Sequence, residues 1–539
     1  MVDTPRELPE NLDSFSLSRR ELLMGAGAVV LGGSLAACGS SSSSSSSTGG
    51  ASGTPKKGGN FRLAVTGGGA KDIMDGQTII TKPDQARLMT AFETLVVYDT
   101  NYVLHPHLAE EVTQNKPDQW TIVLKNGIEF SNGKTLTADD VVYSLNRIIN
   151  SKNGLFGAAG FASLKPSGIK KLNATTVQLN LTYADAGIGQ QLGQYYNGIV
   201  PEGYEAFPKP QHGTGGYILK SFTPGQESVH TRNPNYWQSG KPYFDQVTIT
   251  DFADATAQVN ALQAGQADAM TDLPFGEVNV IKGHPGLAVL ISKTGGWLPL
   301  CMAIDMPPFT DNRVREAFRL MVDRQQMVDQ VLSGYGTVAN DLYSPFDSCF
   351  NHSLPQRQQD IAQAKSLLKQ AGKEGLTVDL HTTNGAAGMV ESANVFATQA
   401  KAAGVTVNVH NDPNYYGDQY LKLPFSVDFW GTRQYLPQVA NGSIPTAPYN
   451  ECHWPPKSGS GSDFVSLYNQ ALAEPDETKR TDIIHTMYNE EFTNGGYIIP
   501  FFNNLVDAYS SKISGFQVNR GTLNLDTFGH GYRTIWFNA

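Results

Sequence analysis

Residues 376–409 read LTVDLHTTNGAAGMVESANVFATQAKAAGVTVNV, and this stretch decides the fold. Leu376 to His381 alternates apolar and polar residues at period two, the pattern of a half-buried strand. Met389 to Ala403 carries apolar residues at helical spacing and stops at Gly404. Val405 to Val409 alternates again. Strand, helix and strand in this order predict a βαβ unit with parallel strands and a right-handed crossover. Phe425-Ser426-Val427-Asp428-Phe429-Trp430 reads as a third strand. The fold class is therefore α/β.

In open α/β sheets, ligands sit beyond the carboxyl ends of the strands. Two loops leave such ends: Thr382 to Gly388, and Gly431-Thr432-Arg433-Gln434-Tyr435. The first is rich in Gly and Ala, so at Asn384 and Gly385 backbone N–H groups can approach a ligand closely. The second brings a cation and an aromatic. Parallel neighbouring strands would turn both loops toward one cleft. Asn384, Gly385, Trp430, Thr432, Arg433 and Tyr435 are candidate ligand contacts, with Trp297 beside the expected cleft or hinge. The bland alternative for Arg433 is a solvated loop side chain, and for each tryptophan a place in the core.

Working outward, Trp120 to Lys125 alternates at period two and runs through Asn126-Gly127 into Ile128-Glu129-Phe130, the signature of a hairpin. Thr137-Ala138-Asp139-Asp140 caps a helix whose apolar positions are Val141, Val142, Leu145, Ile148 and Ile149. Tyr217–Phe222 and Ser228–Thr231 form a second hairpin. A strand at Val247–Ile249 leads to a helix through Val259 and Leu262, followed by a short strand at Ala269-Met270. Asn312 to Leu332 reads as one amphipathic helix.

The chain has 539 residues, enough for two or more domains, and 40% of them are hydrophobic. Forty Lys+Arg against 50 Asp+Glu give a net charge of −10, which excludes the basic footprint of a nucleic-acid binder. No H-E-x-x-H, G-x-S-x-G, Walker A or C-x-x-C pattern is present, so no catalytic residue, metal or cofactor is expected. Gly67-Gly68-Gly69 lacks the dinucleotide-binding spacing and reads as a turn. His105-Pro106-His107 has too few further ligands nearby for a metal site.

The amino terminus is an address. Ser18-Arg19-Arg20-Glu21-Leu22-Leu23 sets two arginines before the run Leu22 to Ala37. Its 16 residues are too few to span a bilayer and fit a signal-peptide core over residues 1–37. Leu35-Ala36-Ala37-Cys38 resembles the lipobox of bacterial lipoproteins, which implies acylation of Cys38. The arginine pair resembles the twin-arginine export signal; ordinary secretion with an incidental pair is the other reading. Residues 38–57, with the unbroken run Ser40 to Ser47, form a flexible tether. Of the three remaining cysteines, Cys301 lies in an apolar run, while Cys349 and Cys452 sit in loop-like, Pro-flanked stretches. Connectivity is not readable from spacing; the pair expected is Cys349–Cys452.

A family resemblance rests on six segments in order. They are Leu104-His105-Pro106-His107-Leu108-Ala109-Glu110-Glu111; Asn126-Gly127-Ile128 through Ser144-Leu145; Gly213-Thr214-Gly215-Gly216-Tyr217; Arg232-Asn233-Pro234-Asn235-Tyr236-Trp237; Pro308-Phe309-Thr310-Asp311-Asn312-Arg313-Val314-Arg315-Glu316-Ala317; and Ile498-Ile499-Pro500-Phe501-Phe502. Together they resemble the oligopeptide/dipeptide/nickel-type (family 5) solute-binding proteins of ABC importers. The resemblance implies a two-lobed, periplasmic-binding-protein-like type II fold with a hinge. Lobe I would comprise residues 58–297 plus 504–539, with an extra subdomain around 100–200, and lobe II residues 298–503. It also implies a monomeric receptor, lipid-anchored outside the cytoplasm, that hands a peptide or other small polar ligand to ABC permease and ATPase subunits. In peptide-binding relatives an acidic residue just after the strand equivalent to Phe425–Trp430 pairs the peptide's α-amino group. Here no carboxylate lies between Asp428 and Glu451. That departure argues against a peptide with a free amino terminus, and Arg433 suits an acidic or hydroxyl-rich ligand instead. Two other classes remain open on sequence: a secreted hydrolase without a local motif, and a surface receptor or chaperone of the same fold that feeds no transporter.

Overall fold

The computed structural model describes residues 54–538, apart from residues 80, 413–414 and 417–418. The export segment, Cys38 and most of the tether lie outside these residues. Among them no helix is long and apolar enough to cross a membrane.

Two mixed sheets carry the fold. The larger runs in the order Leu287–Trp297, Phe501–Ser510, Ala269–Met270, Asn60–Thr66, Gln246–Phe252, Glu227–Arg232, Tyr217–Thr223, with Gly336–Val338 added onto Phe501–Ser510. The second runs Thr406–Asn411, Thr377–Thr382, Phe425–Val427, Leu300–Met302, Tyr497–Ile498. The chain passes from one sheet to the other between Trp297 and Leu300, and returns between Ile498 and Phe501. A separate antiparallel sheet of Ala109–Lys116, Gln119–Leu124, Thr176–Leu181 and Leu164–Lys171 packs on helix Ala138–Ile149. Trp120, Ile122 and Leu124 meet Val141, Leu145 and Ile148 there in one apolar cluster.

The βαβ unit forms where its pattern places it. Strand Thr377–Thr382 lies parallel to Thr406–Asn411, and helix Met389–Ala400 crosses between them, burying Met389, Ala393, Phe396 and Ala400. Gly388 enters that helix at φ +92°, and a Cβ there would stand 2.9 Å from Leu298. Only glycine suits both conditions. Strand Phe425–Val427 pairs on the other side of Thr377–Thr382, in parallel, with Ser426 opposite His381. Both candidate loops therefore leave the same edge of one sheet.

Three expectations change. Strand Gln119–Leu124 does not form a hairpin through Asn126-Gly127. It pairs with strands on both sides, and residues 128–130 close a small loop through the single bridge Glu129–Thr135. The long amphipathic helix is two helices, Asn312–Leu320 and Arg324–Val331, because the Asp323 side chain accepts from Gln326 N and caps a new start. The Cys349–Cys452 bridge is absent. All three described cysteines are free and buried. Cys349 Sγ sits 3.2 Å from Thr481 Oγ1, while Cys452 shares its surroundings with Cys301.

Candidate functional site

The segments that carry the family resemblance converge on buried charge. Glu93 accepts hydrogen bonds from His107 Nε2 (2.9 Å), Thr214 Oγ1 (3.0 Å), Tyr236 Oη (2.7 Å) and Trp237 Nε1 (2.9 Å). Three motif segments thus meet on one carboxylate. Burial opposes its charge, but His107, Arg533 and Tyr236 outweigh burial and hold its pKa down at about 2. A fourth segment works differently. Arg315 donates to the carbonyls of Phe309 (2.6 Å), Asn494 (2.8 Å) and Gly495 (3.2 Å), and Arg319 donates to those of Gly495 and Tyr497. These two buried cations satisfy the carbonyls of Asn494, the last residue of helix Glu477–Asn494, of its cap Gly495 and of Tyr497 in the strand that follows.

At the crossover, Trp297 and Trp430 exchange backbone hydrogen bonds of 2.9 Å in both directions. Their rings stack, and the stack continues through Tyr343 and Tyr435 to Tyr488, a column of aromatics running into lobe II. Glu491 anchors it, accepting from Tyr343 Oη (2.5 Å) and Tyr435 Oη (2.8 Å); burial pushes its pKa up to about 7. Trp297 and Tyr435 are therefore core side chains, 1% and 0% exposed, because each is enclosed by rings on the hinge side.

The loop after Trp430 reaches to residues on the side of the larger sheet. Thr432 Oγ1 accepts from Gly295 N (2.9 Å) and donates to Arg520 O (2.9 Å), while its carbonyl accepts from Tyr102 Oη (2.9 Å). Thr432 thus ties the loop to three distant segments of the chain. Arg433 lies with its guanidinium carbon 4.9 Å over the Trp430 ring. Facing it are Tyr102, Tyr195 and Tyr196, all more than 230 residues earlier in the chain. Burial raises the pKa of all three hydroxyls, and the charge of Arg433 partly offsets that rise. Tyr98 stacks on Tyr102 at 4.3 Å, and Tyr449 meets the edge of Trp430 at 6.0 Å. Behind Tyr98 and Tyr102 opens a cavity of about 70 Å³, lined also by Gln194, Tyr195, His530 and Arg533.

Asn384 and Gly385 are exposed and belong to a neighbouring part of the same edge. Gly385 abuts Tyr416, whose hydroxyl donates to Asp428 (2.9 Å). Asp428 and Glu451 are both buried, and burial raises both carboxyls. Neither offers an open carboxylate to the cleft. Tyr98, Tyr102, Tyr195, Tyr196 and Gln438 are not apparent from the sequence. Their one signal was the doublet Tyr195-Tyr196, which nothing in the linear sequence ties to Arg433. Among the described residues no group of three or more His, Cys, Asp or Glu side chains could hold a metal ion. His107 is occupied by Glu93, and His105 by Asp99 at 3.1 Å.

Residues 103–447 match the model of the bacterial extracellular solute-binding proteins, family 5. The chain belongs to this family. The nickel-binding protein NikA of Staphylococcus aureus is 26% identical over 422 residues, which span 74% of this chain and 80% of that protein. Among solved structures, the ABC transporter substrate-binding protein CtaP of Listeria monocytogenes superposes with a TM-score of 0.79 at 20% identity, over 90% of this chain and 100% of CtaP. AgaA of A. tumefaciens in complex with agropinic acid superposes with a TM-score of 0.74 at 19% identity, over 89% of this chain and 99% of AgaA. These likenesses establish the two-lobed, type II binding-protein fold. Members of the family are binding proteins.

Proposed function

We propose that this family member is a lipid-anchored receptor outside the cytoplasm that closes its two lobes on a small polar ligand and delivers it to an ABC permease and ATPase. One observation carries the reading. Arg433 sits between Trp430 of one lobe and the tyrosines of the other, in a loop that Thr432 ties across the cleft. A ligand held there would touch both lobes and favour the closed state by the difference in its affinity for the two states. The boundaries proposed are a lobe I of 58–297 plus 504–539 and a lobe II of 298–503. Strand Gly336–Val338, from within the second range, pairs with the lobe I sheet and adds a tie beside the crossovers. Export and anchoring are supported by Arg19-Arg20, the apolar run that follows, and Leu35-Ala36-Ala37-Cys38. Relatives named for nickel and for agropinic acid share the fold, so the ligand is set by the cleft side chains.

The test is native mass spectrometry of the chain purified without refolding. The expected result is a noncovalent adduct of small-molecule mass, lost on denaturation, whose return raises the melting temperature. A chain that carries no adduct and gains no stability from small molecules released by its host's extract would refute the reading.

A further inference from the structure

We infer that the ligand is gripped by a carboxylate, and that Gln438 and Trp430 share its recognition with Arg433. This rests on the cleft being the ligand site. The three side chains form a cluster of hydrogen-bond donors short of acceptors. Arg433 has no ion-pair partner among the described residues, and its one hydrogen bond is the long contact from Nη1 to Gln438 Oε1, 3.4 Å. That contact fixes the Gln438 amide, since the flipped amide would set a donor against a donor. Its Nε2 is left buried without a partner, in a side chain only 1% exposed. Trp430 Nε1 is also buried and unpartnered. The two side chains that carry these donors both flank Gly442. A Cβ built on Gly442 would stand 3.2 Å from Gln438 Nε2 and 3.2 Å from Trp430 Cζ2, the ring carbon two bonds from Nε1. Tyr497 Oη, 3.4 Å from the same point, closes the third side, and it already donates to Glu451.

Buried donors without acceptors are costly and are seldom left so. The nearby carboxyls do not answer them: Glu451, nearest through Tyr497, accepts from Tyr497 Oη and lies against Asp428, and neither reaches Gln438 Nε2 or Trp430 Nε1. Asp347 accepts from the backbone of Tyr435 and Cys349, and Glu491 is taken by two tyrosines. What the cluster lacks is a planar, negatively charged acceptor with several lone pairs. A carboxylate supplies four such sites, fits the guanidinium fork edge-on, and leaves lone pairs for an amide N–H and an indole N–H. The tyrosine rings of lobe I would then cover the body of the ligand. Gln438 acts partly through Arg433, by orienting it, and partly by its own N–H.

The experiment uses the full chain, stripped of bound small molecules, and matched probes: benzoate against benzamide, gluconate against gluconamide, and inorganic phosphate. Melting temperature and calorimetric affinity are measured with each at up to about 10 mM. The acids should stabilise the chain, and the amides and phosphate should not. Arg433→Ala should weaken acid binding at least about thirtyfold, and Arg433→Lys should rescue it poorly. Gln438→Glu should abolish acid binding while keeping or raising the melting temperature, because the new carboxylate occupies the Arg433 fork from within. Trp430→Phe, which removes the N–H donor together with part of the ring under Arg433, should cost at least about five- to tenfold. Equal binding of acid and amide, a preference for phosphate, no acid binding at all, or wild-type acid affinity in Gln438→Glu would each overturn the inference. If a native adduct is seen and the lobes close on it while acids and amides bind alike, the receptor reading stands and the carboxylate falls alone.

Discussion

Replacing Glu93 by Gln tests why the family segments have their residues. The carboxylate accepts from four donors, three of them buried and Trp237 half-buried. An amide keeps one acceptor oxygen and turns an NH2 group toward the donors around the other. About two of the four then lose their acceptor, at roughly 1–3 kcal/mol each. A destabilisation of about 3 kcal/mol should follow, or about 5–10 °C in the melting temperature of lobe I. The pH dependence gives an independent figure. The folded pKa of about 2 lies below the unfolded value of 4.5, so the stabilisation is complete above pH 4.5 and is lost as pH falls through 2. That difference amounts to about 3 kcal/mol. The assay is thermal unfolding followed by near-UV circular dichroism, which reports on the packing of the aromatic side chains, across neutral to acid pH, with exposed Glu227→Gln as control. The gap between wild type and Glu93→Gln should narrow as the pH is lowered below 4.5. A variant melting within about 2 °C of wild type at neutral pH, where the control sits, would refute the claim that these segments are built around Glu93.

The remaining predictions concern the tie, the column and the anchor. Thr432→Val keeps the shape but leaves Gly295 N and Arg520 O unpaired in the closed state, so ligand affinity should fall about ten- to hundredfold while the open protein stays folded; unchanged affinity by calorimetry would show that Thr432 is no tie. Glu491 has a folded pKa of about 7 against 4.5 unfolded, so the folded chain holds a proton that the unfolded chain has released between those values. Wild-type stability should therefore decline as pH rises through this window, by up to about 3 kcal/mol, and Glu491→Gln should flatten the decline. A melting profile with the same slope in both proteins would count against it. Cys38→Ala should move the protein from the membrane fraction to the soluble one, because the acyl chains supply the affinity; retention after a salt wash would exclude the lipid anchor.

The parts of the fold legible in the sequence are those with local causes. Residues 376–409 declare two strands and a helix by periodicity alone, and Thr137 with Asp140 declares a helix start that the structure forms as a capping box. Misreadings arise where distant partners decide. Asn126-Gly127 looks like a hairpin turn, but strand Gln119–Leu124 finds Thr176–Leu181 about fifty residues later. The break at Asp323 was legible in principle, since Asp323 precedes Gln326 by the spacing of a cap, yet the apolar stripe runs across it. At the cleft, Arg433 was readable from its place after a strand end. Trp297 and Tyr435 look like ligand walls in sequence because they flank the hinge; stacking on Tyr343 draws both into the core. Tyr102, Tyr195 and Tyr196 come from the other lobe, and no periodicity or spacing links them to Arg433.

The account stands or falls on closure around a ligand. Small-angle scattering should be recorded on the ligand-stripped chain, and again after the small molecules released from natively purified protein are returned to it. The account predicts that the radius of gyration falls by about 1 Å from a compact value of roughly 23 Å, together with a rise in melting temperature. A rise in melting temperature with an unchanged scattering curve would show a protein that binds without closing, and would contradict the two-lobed clamp.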